Sequence, residues 1–347
     1  METSEKRADR ETAGPAPAPR HIRMDTLARW ALRAAGPLIL IGILLFGVDF
    51  SRALALLLNV QLPLLLISWF VIFPIVVILR SLRWHIIARI YDIRQPFSMS
   101  ILLYFLGFSA GFFISDGISA FVRSVFLNRD GYRWSVSLLT PFWEKTVELI
   151  AILLSGLIAF AALPQLVLNR GLLYLALILG AGITASTALL LSPGVQSWAF
   201  ERIFPWLARR TSRLRQESGA ALLAEFRRMR PRAVVGLTLF SIATRLLYFY
   251  SLYLVGRAMG CPLSFWQVSL VMAFVSLVTM LPIGIGGIGS RDVVMIPTFH
   301  LFGQPAEQAV AFSFLILLTN VIWRALGALA WTLLPRYLPA PASEDTP

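Results

Sequence analysis

The stretch "LPIGIGGIGSRD", residues 281–292, decides how this chain is read. Gly284, Gly286 and Gly289 have the GxGxxG spacing of a phosphate loop, and Arg291 and Asp292 follow at once. A dinucleotide loop, however, needs a strand before it and a βαβ unit around it. The flanks here are continuous apolar sequence with no such unit, so the glycines, Gly287 included, read instead as a backbone break at membrane depth. Irregular chain is tolerated at that depth only where it is buried in protein or lines a cavity.

Composition supports the membrane setting. The chain is 57% hydrophobic and 14% charged, with a mean hydropathy of +0.73, and a soluble chain of 347 residues would expose far more charge. Apolar runs at Leu62–Leu79, Leu149–Ala162, Leu172–Leu191 and Phe312–Leu334 reach or approach the roughly 20 residues that span a bilayer. The expected fold class is therefore all-α, a polytopic helical membrane protein. The net charge of +13 does not indicate nucleic acid, because the basic residues are grouped between apolar runs rather than along one soluble face. The single cysteine, Cys261, excludes a disulfide framework, and His21, His85 and His300 are too scattered for a metal site, so neither metal nor cofactor is expected. Residues 1–27 and 337–347 are expected to be disordered tails around a transmembrane domain at 28–336, and no cleavable signal precedes the first apolar run.

The basic residues sort by segment. Residues 1–34, 80–96, 123–137 and 193–232, together with Arg336, hold 24 of the 31 lysines and arginines. The positive-inside rule places these in the cytoplasm, both termini included, in a cell inner (plasma) membrane. Arg52, Arg170 and Arg257 mark outer connections. The linker 193–232 mixes apolar residues with arginines, as helices lying on anionic inner-leaflet lipids do.

A simple zigzag would put 123–137 outside. A re-entrant hairpin avoids this: 99–113 descends, the chain breaks at Ser115-Asp116-Gly117, with Asp116 as a cap, and 118–127 returns. The opening stretch forms the second hairpin, with arms at 266–281 and 291–302 and a break at Pro282–Gly289. Anchors recur in order: Pro96 and Pro262, then Ser115 and Pro282, then Arg123 and Arg291. One hairpin opens inward and the other outward, the pattern of an inverted-topology repeat, with copies at about 62–163 and 233–335.

Ionisable residues inside apolar runs are the candidate functional groups, since each costs a few kcal/mol in hydrocarbon unless it faces a partner or cavity. Lys145 and Glu148, three apart, can pair on one helix face and leave Glu144 for another cation, with Arg123 in the same vestibule. Adjacent Arg291 and Asp292 point about 100° apart, so each needs another partner. Arg245 and Arg324 raise the positive balance, which suits a phosphate or carboxylate ligand.

These segments resemble a known family. "RSLRW" at 80–84, "SDGISAFVR" at 115–123, "EKTVE" at 144–148 and "LPIGIGGIGSRD" look like the ordered motifs of the lysylphosphatidylglycerol synthase transmembrane region family of flippase-like membrane proteins, over about 30–336. Where that family has Pro, Gly and an acid before the first hairpin's arginine, this chain has Ser115, Ser119 and Ala120, and only Arg123 is kept. The family's Glu-Arg-x-x-Asp stands here as Glu144, Lys145 and Glu148. No soluble synthase domain follows the membrane part in this sequence. The resemblance implies lipid handling, movement of an anionic phospholipid or lipid-linked sugar between leaflets; a transferase would need a polar catalytic loop, and the outer connections are short with few polar groups, so no catalysis is expected. The residues expected to serve the headgroup are Arg123, Arg291, Asp292, Glu144, Lys145, Glu148, Gly286, Gly287, Gly289 and Arg324. The alternative is an accessory protein supporting a separate lipid-modifying or glycosyltransfer enzyme, docked on 193–232.

Overall fold

The computed structural model describes residues 49–112, 114, 116–210, 219–281 and 289–333, which are helical with no strand among them. In order these are α1 (Phe50–Leu58), α2 (Leu62–Ile90), α3 (Phe97–Ala110), the single turn α4 (Asp116–Ser119), α5 (Val122–Arg129) and α6 (Trp134–Ala161). Then come α7 (Pro164–Val167), α8 (Arg170–Leu191), α9 (Pro193–Arg210), α10 (Gly219–Phe226), α11 (Pro231–Ala258), α12 (Phe265–Thr279), α13 (Ser290–Leu301) and α14 (Ala306–Leu333). The expected tails, Ser115, the tip at Pro282–Ile288 with Gly284, Gly286 and Gly287, and the cap at Asp116 fall outside the described residues or side chains.

The protein is an all-α membrane protein. Four described helices are long and apolar enough to cross a bilayer: α2, α8, α11 and the Ala306–Leu329 part of α14. At 28 residues α6 is also long enough, but it carries Glu144, Lys145 and Glu148. By contrast α3 has 14 residues and α12 has 15. At 1.5 Å per residue each is about 21–23 Å long, short of a hydrocarbon core of about 30 Å. Each packs against a still shorter helix, α3 against α5 and α12 against α13. Lengths therefore run long, short, short, long from α2 to α6, and again from α11 to α14.

Prolines shape two of the long helices. Pro74 lies just after a wide π turn at Ser68–Ile72 in α2, and the extra residue relieves the clash its ring makes with the preceding turn. There Ser68 Oγ donates to the Ser251 carbonyl of α11 at 2.8 Å. In α6, Pro141 has no N–H to give to the Ser137 carbonyl. That oxygen instead accepts from Ser124 Oγ of α5 at 2.6 Å and from Thr140 Oγ1 at 3.2 Å. A proline in one helix thus fixes the short arm beside it.

Among the described residues apolar packing forms two large cores and two small clusters. One gathers Leu65 and Trp69 of α2, Phe249 and Leu252 of α11, and residues of α12, α13 and α14 such as Val271, Phe299 and Phe312. The other gathers Trp84 and Ile87 of α2, Leu103 and Leu106 of α3, Trp143 and Val147 of α6, and Leu237 of α11. Both α2 and α11 run through both cores, and the polar stretch of each lies between them.

Two features correct the sequence reading. Arg80 and Arg83 are not in a cytoplasmic connection: α2 continues to Ile90, and Arg83 is buried beside Trp84. Arg123 likewise is buried in α5 rather than standing in a loop. These three cannot be counted as loop charges, because their helices extend past the apolar runs that defined the loops. In the linker, α10 buries Leu222 and Phe226 against α6, with Phe226 4.8 Å from the Trp143 ring. Arg227 ties it to α9 through Ser197 Oγ at 2.9 Å.

Candidate functional site

Between the two cores lies a cavity of about 110 Å³. One water takes about 10–15 Å³ by this measure, so there is room for several waters or a small polar group. Its wall carries six cations, Arg80, Arg123, Lys145, Arg245, Arg291 and Arg324, and two carboxylates, Glu144 and Glu148. They come from α2, α5, α6, α11, α13 and α14, so both pairs of short helices contribute an arginine.

The 3.6-residue period puts Glu144 and Glu148 on one face of α6, directed at the arginines. Glu144 accepts from Arg123 Nη2 and from Arg83 Nη2, the latter at 3.4 Å. Glu148 takes Arg245 Nη2 at 2.7 Å, Lys145 Nζ at 2.9 Å and Arg83 Nη2 at 3.7 Å. The Lys145–Glu148 pair legible in the sequence is therefore formed, and Glu144 does go to other cations.

Arg123 is held from several sides. Its Nε donates to the Ala120 carbonyl at 3.2 Å, and its guanidinium sits 5.2 Å from the Trp84 ring and 5.7 Å from the Tyr104 ring. Gly107 of α3 makes this close approach possible, since a Cβ there would stand 3.3 Å from Arg123 Nε.

On the other side, Arg291 and Asp292 do turn to separate partners. Arg291 Nε donates to Ser313 Oγ of α14 at 2.8 Å, and an Asp292 oxygen accepts the Gly289 amide at 3.1 Å. Asp292 is thereby a cap on the first turn of α13, where an acid also suits the helix dipole. Gly289 takes φ +79°, a left-handed conformation that favours glycine. Asp292 is buried but does not line the cavity.

The turn at Gly117 meets the end of α12. A Cβ on Gly117, next to the first break, would stand 2.5 Å from the Met280 carbonyl at the end of α12. Thus the end of α12 closes directly on the turn that precedes Arg123. Of the sequence-derived candidates, the structure brings together Arg123, Glu144, Lys145, Glu148, Arg291 and Arg324; it sets Asp292 and Gly289 one step behind.

Arg80 and Arg83 were missing from that candidate set, and Arg245 was read only as adding to the positive balance. Arg80 stacks over the Tyr248 ring at 4.8 Å, and its Nη2 has no hydrogen-bond partner among the described residues. The available signal was "RSLRW": two arginines three apart share a helix face, and both lie within reach of the apolar run before them. With Arg83 and Asp292 counted, seven cations face three carboxylates among the described side chains. An unbalanced buried charge costs several kcal/mol after relaxation, so a cationic surplus of this size is a standing attraction for an anion.

The sequence profile described as "lysylphosphatidylglycerol synthase TM region" matches residues 32–328. The chain belongs to this family. No curated protein and no solved structure matches it significantly. Membership makes the buried cavity that of an integral membrane, lipid-related protein, and the "EKTVE" and "GIGSRD" segments that carried the resemblance are the ones that supply Glu144, Lys145, Glu148 and Arg291.

Proposed function

We propose that this protein takes an anionic lipid headgroup into the cavity and passes a phospholipid or lipid-linked sugar between leaflets. The cationic surplus around a cavity set between two apolar cores carries this reading. In a membrane protein such a surplus needs a reason, and a phosphate group supplies one: arginine forks match its oxygens bidentately. In this mechanism Glu144 and Glu148 hold the arginines in place when the cavity lacks a headgroup. The headgroup then competes with the carboxylates for Arg123 and Arg245, so charge compensation is exchanged rather than lost.

The short, paired helices support the two-hairpin, inverted-repeat reading, since two arms of sub-membrane length that meet at their ends give alternate access to one site. Topology with cytoplasmic termini, residence in the plasma membrane and contact of α9 and α10 with anionic inner-leaflet lipids belong to the same proposal. In this proposal the glutamates serve carriage rather than catalysis, a role supported by their contacts with cations.

The second reading is an accessory protein. It is favoured by the exposed arginines of the linker, Arg202 on α9 and Arg227 just after α10, which offer a lipid-modifying enzyme cationic groups to dock on. Reconstitution separates the two. Purified protein in liposomes with a headgroup-labelled anionic lipid should expose inner-leaflet label to an external quencher, and Arg291→Ala should slow this at unchanged thermal stability. Wild-type protein indistinguishable from empty liposomes would favour the accessory role.

A further inference from the structure

Beside the cavity, on the side of α3 and α14, lies a groove of about 440 Å³ lined by Ala110, Phe112, Val321, Ala325 and Ala328. Arg324 lines both the cavity and the groove and stands where the two adjoin. Alanines at 110, 325 and 328 leave open the space that larger side chains would fill. Close helix approach keeps the same region thin: Gly327 lies against the Phe105 ring and carbonyl, where a Cβ would stand 3.1 Å from each. A charged cavity thus lies beside an apolar slot, the arrangement that an amphiphile needs.

Charge narrows the head. Glu144 and Glu148 are already in contact with Arg83, Arg123, Lys145 and Arg245, whereas Arg80 and Arg291 have no carboxylate oxygen within 4.0 Å among the described side chains. Arg80 presents an unpartnered Nη2, and Arg291 is anchored through Nε to Ser313, which directs the rest of its fork elsewhere. A single negative charge would leave this wall strongly positive. A second charge on the same small group would be drawn in nearly as strongly as the first, because the surplus exceeds one.

We propose that the site selects a headgroup with two or more closely spaced negative charges, a phosphomonoester or diphosphate, whose hydrocarbon chain lies in the groove past Arg324. This deepens the lipid-carrier reading and rests on it. The head sits among Arg80, Arg245 and Arg291, and the chain leaves between α3 and α14 into the bilayer. A monoanionic phosphodiester fits the same space but compensates less of the wall.

The test uses full-length protein in phosphatidylcholine nanodiscs. Retention of dioleoyl phosphatidic acid, whose phosphomonoester carries about −1.5 to −2 near neutral pH, is compared with that of dioleoyl phosphatidylglycerol, with inorganic pyrophosphate as the chain-free probe. Phosphatidic acid should be preferred over phosphatidylglycerol on the order of tenfold. Arg80→Gln and Arg291→Gln should each erase most of that preference. Ala325→Trp, at an exposed position on α14, should weaken phosphatidic acid and leave pyrophosphate binding unchanged. Equal retention of the two lipids would overturn the dianion selection, and pyrophosphate binding as tightly as phosphatidic acid would overturn the chain slot and point to a soluble anion. Retention of neither lipid by protein of normal thermal stability would instead sink the lipid-carrier reading itself.

Discussion

Replacing Glu148 by Gln removes the charge that compensates three cations. The side chains of Glu148 and Arg245 are 10% and 7% exposed and 2.7 Å apart, so solvent screens the pair little. At an effective dielectric of about 20, two unit charges 4 Å apart attract by about 4 kcal/mol. Breaking a buried pair by removing one partner costs about 3–5 kcal/mol, because the remaining charge is left uncompensated. Lys145 offsets part of this by turning toward solvent, since its side chain is 20% exposed, whereas Arg83 and Arg245 have no such route. Glu148→Gln should therefore lose about 3–5 kcal/mol, or about 6–10 °C on a scale of roughly 2 °C per kcal/mol for a large domain. Glu148→Asp keeps the charge and should lose about 1–2 kcal/mol. Adding Arg245→Met to Glu148→Gln should recover part of the loss, since the orphaned cation is then gone. Thermal unfolding of the detergent-solubilised protein, followed by tryptophan fluorescence and alongside lipid transport, measures all three. If Glu148→Gln melts within about 1 °C of wild type and no lower than Glu148→Asp, the glutamate does not compensate buried cations and the electrostatic account of the wall fails.

Other expectations follow from the same geometry. Arg291→Lys should fold normally but bind lipid headgroups less tightly, because an ammonium lacks the planar fork that serves Ser313 and a phosphate together; unchanged affinity would make Arg291 structural. Gly117→Ala should destabilise by about 1–3 kcal/mol, because its Cβ meets a backbone carbonyl that cannot rotate away; a neutral melting temperature would mean α4 and the end of α12 separate easily. Arg129→Cys, at an exposed position in a chain whose single native cysteine is buried, should be labelled by impermeant reagents only from the cytoplasmic side; labelling from outside intact cells would refute the first hairpin. Outside the membrane, the hydrogen bond from Arg228 holds the Asp92 carboxyl below its ordinary range. That tie is present above the unfolded-state value and lost as pH falls through the lower folded one, so the protection of the 219–226 amides, relative to their intrinsic exchange rates at each pH, should fall at acid pH, and Asp92→Asn should remove this dependence.

Much of the architecture was written in local pattern. Helix ends at Ala110 and Thr279 and a new start at Ser290 flank the stretches read as breaks, while Asp116 and Gly117 belong to the helical turn α4. Lys145 with Glu148 was legible locally, being one turn of one helix. Arg83 and Arg245 were not, since they meet Glu144 and Glu148 across 61 and 97 residues of chain. Charge counting also worked against Arg80, Arg83 and Arg123. It treats every arginine beyond an apolar run as solvated, whereas α2 extends to Ile90 and α5 is held against α6 through Ser124 and the carbonyl that Pro141 frees. The groove beside Arg324 depends on which alanines of α3 and α14 face each other, and no single-helix periodicity reveals that.

The central claim is that buried arginines from both halves of the chain converge on one lipid headgroup. Electron cryomicroscopy of the protein in nanodiscs containing phosphatidic acid tests it most directly. The account predicts headgroup density among Arg80, Arg245 and Arg291, with chain density running past Arg324 between α3 and α14. A well-resolved cavity in which those arginines are neutralised by protein carboxylates alone, with lipid only on the outer surface, would contradict it.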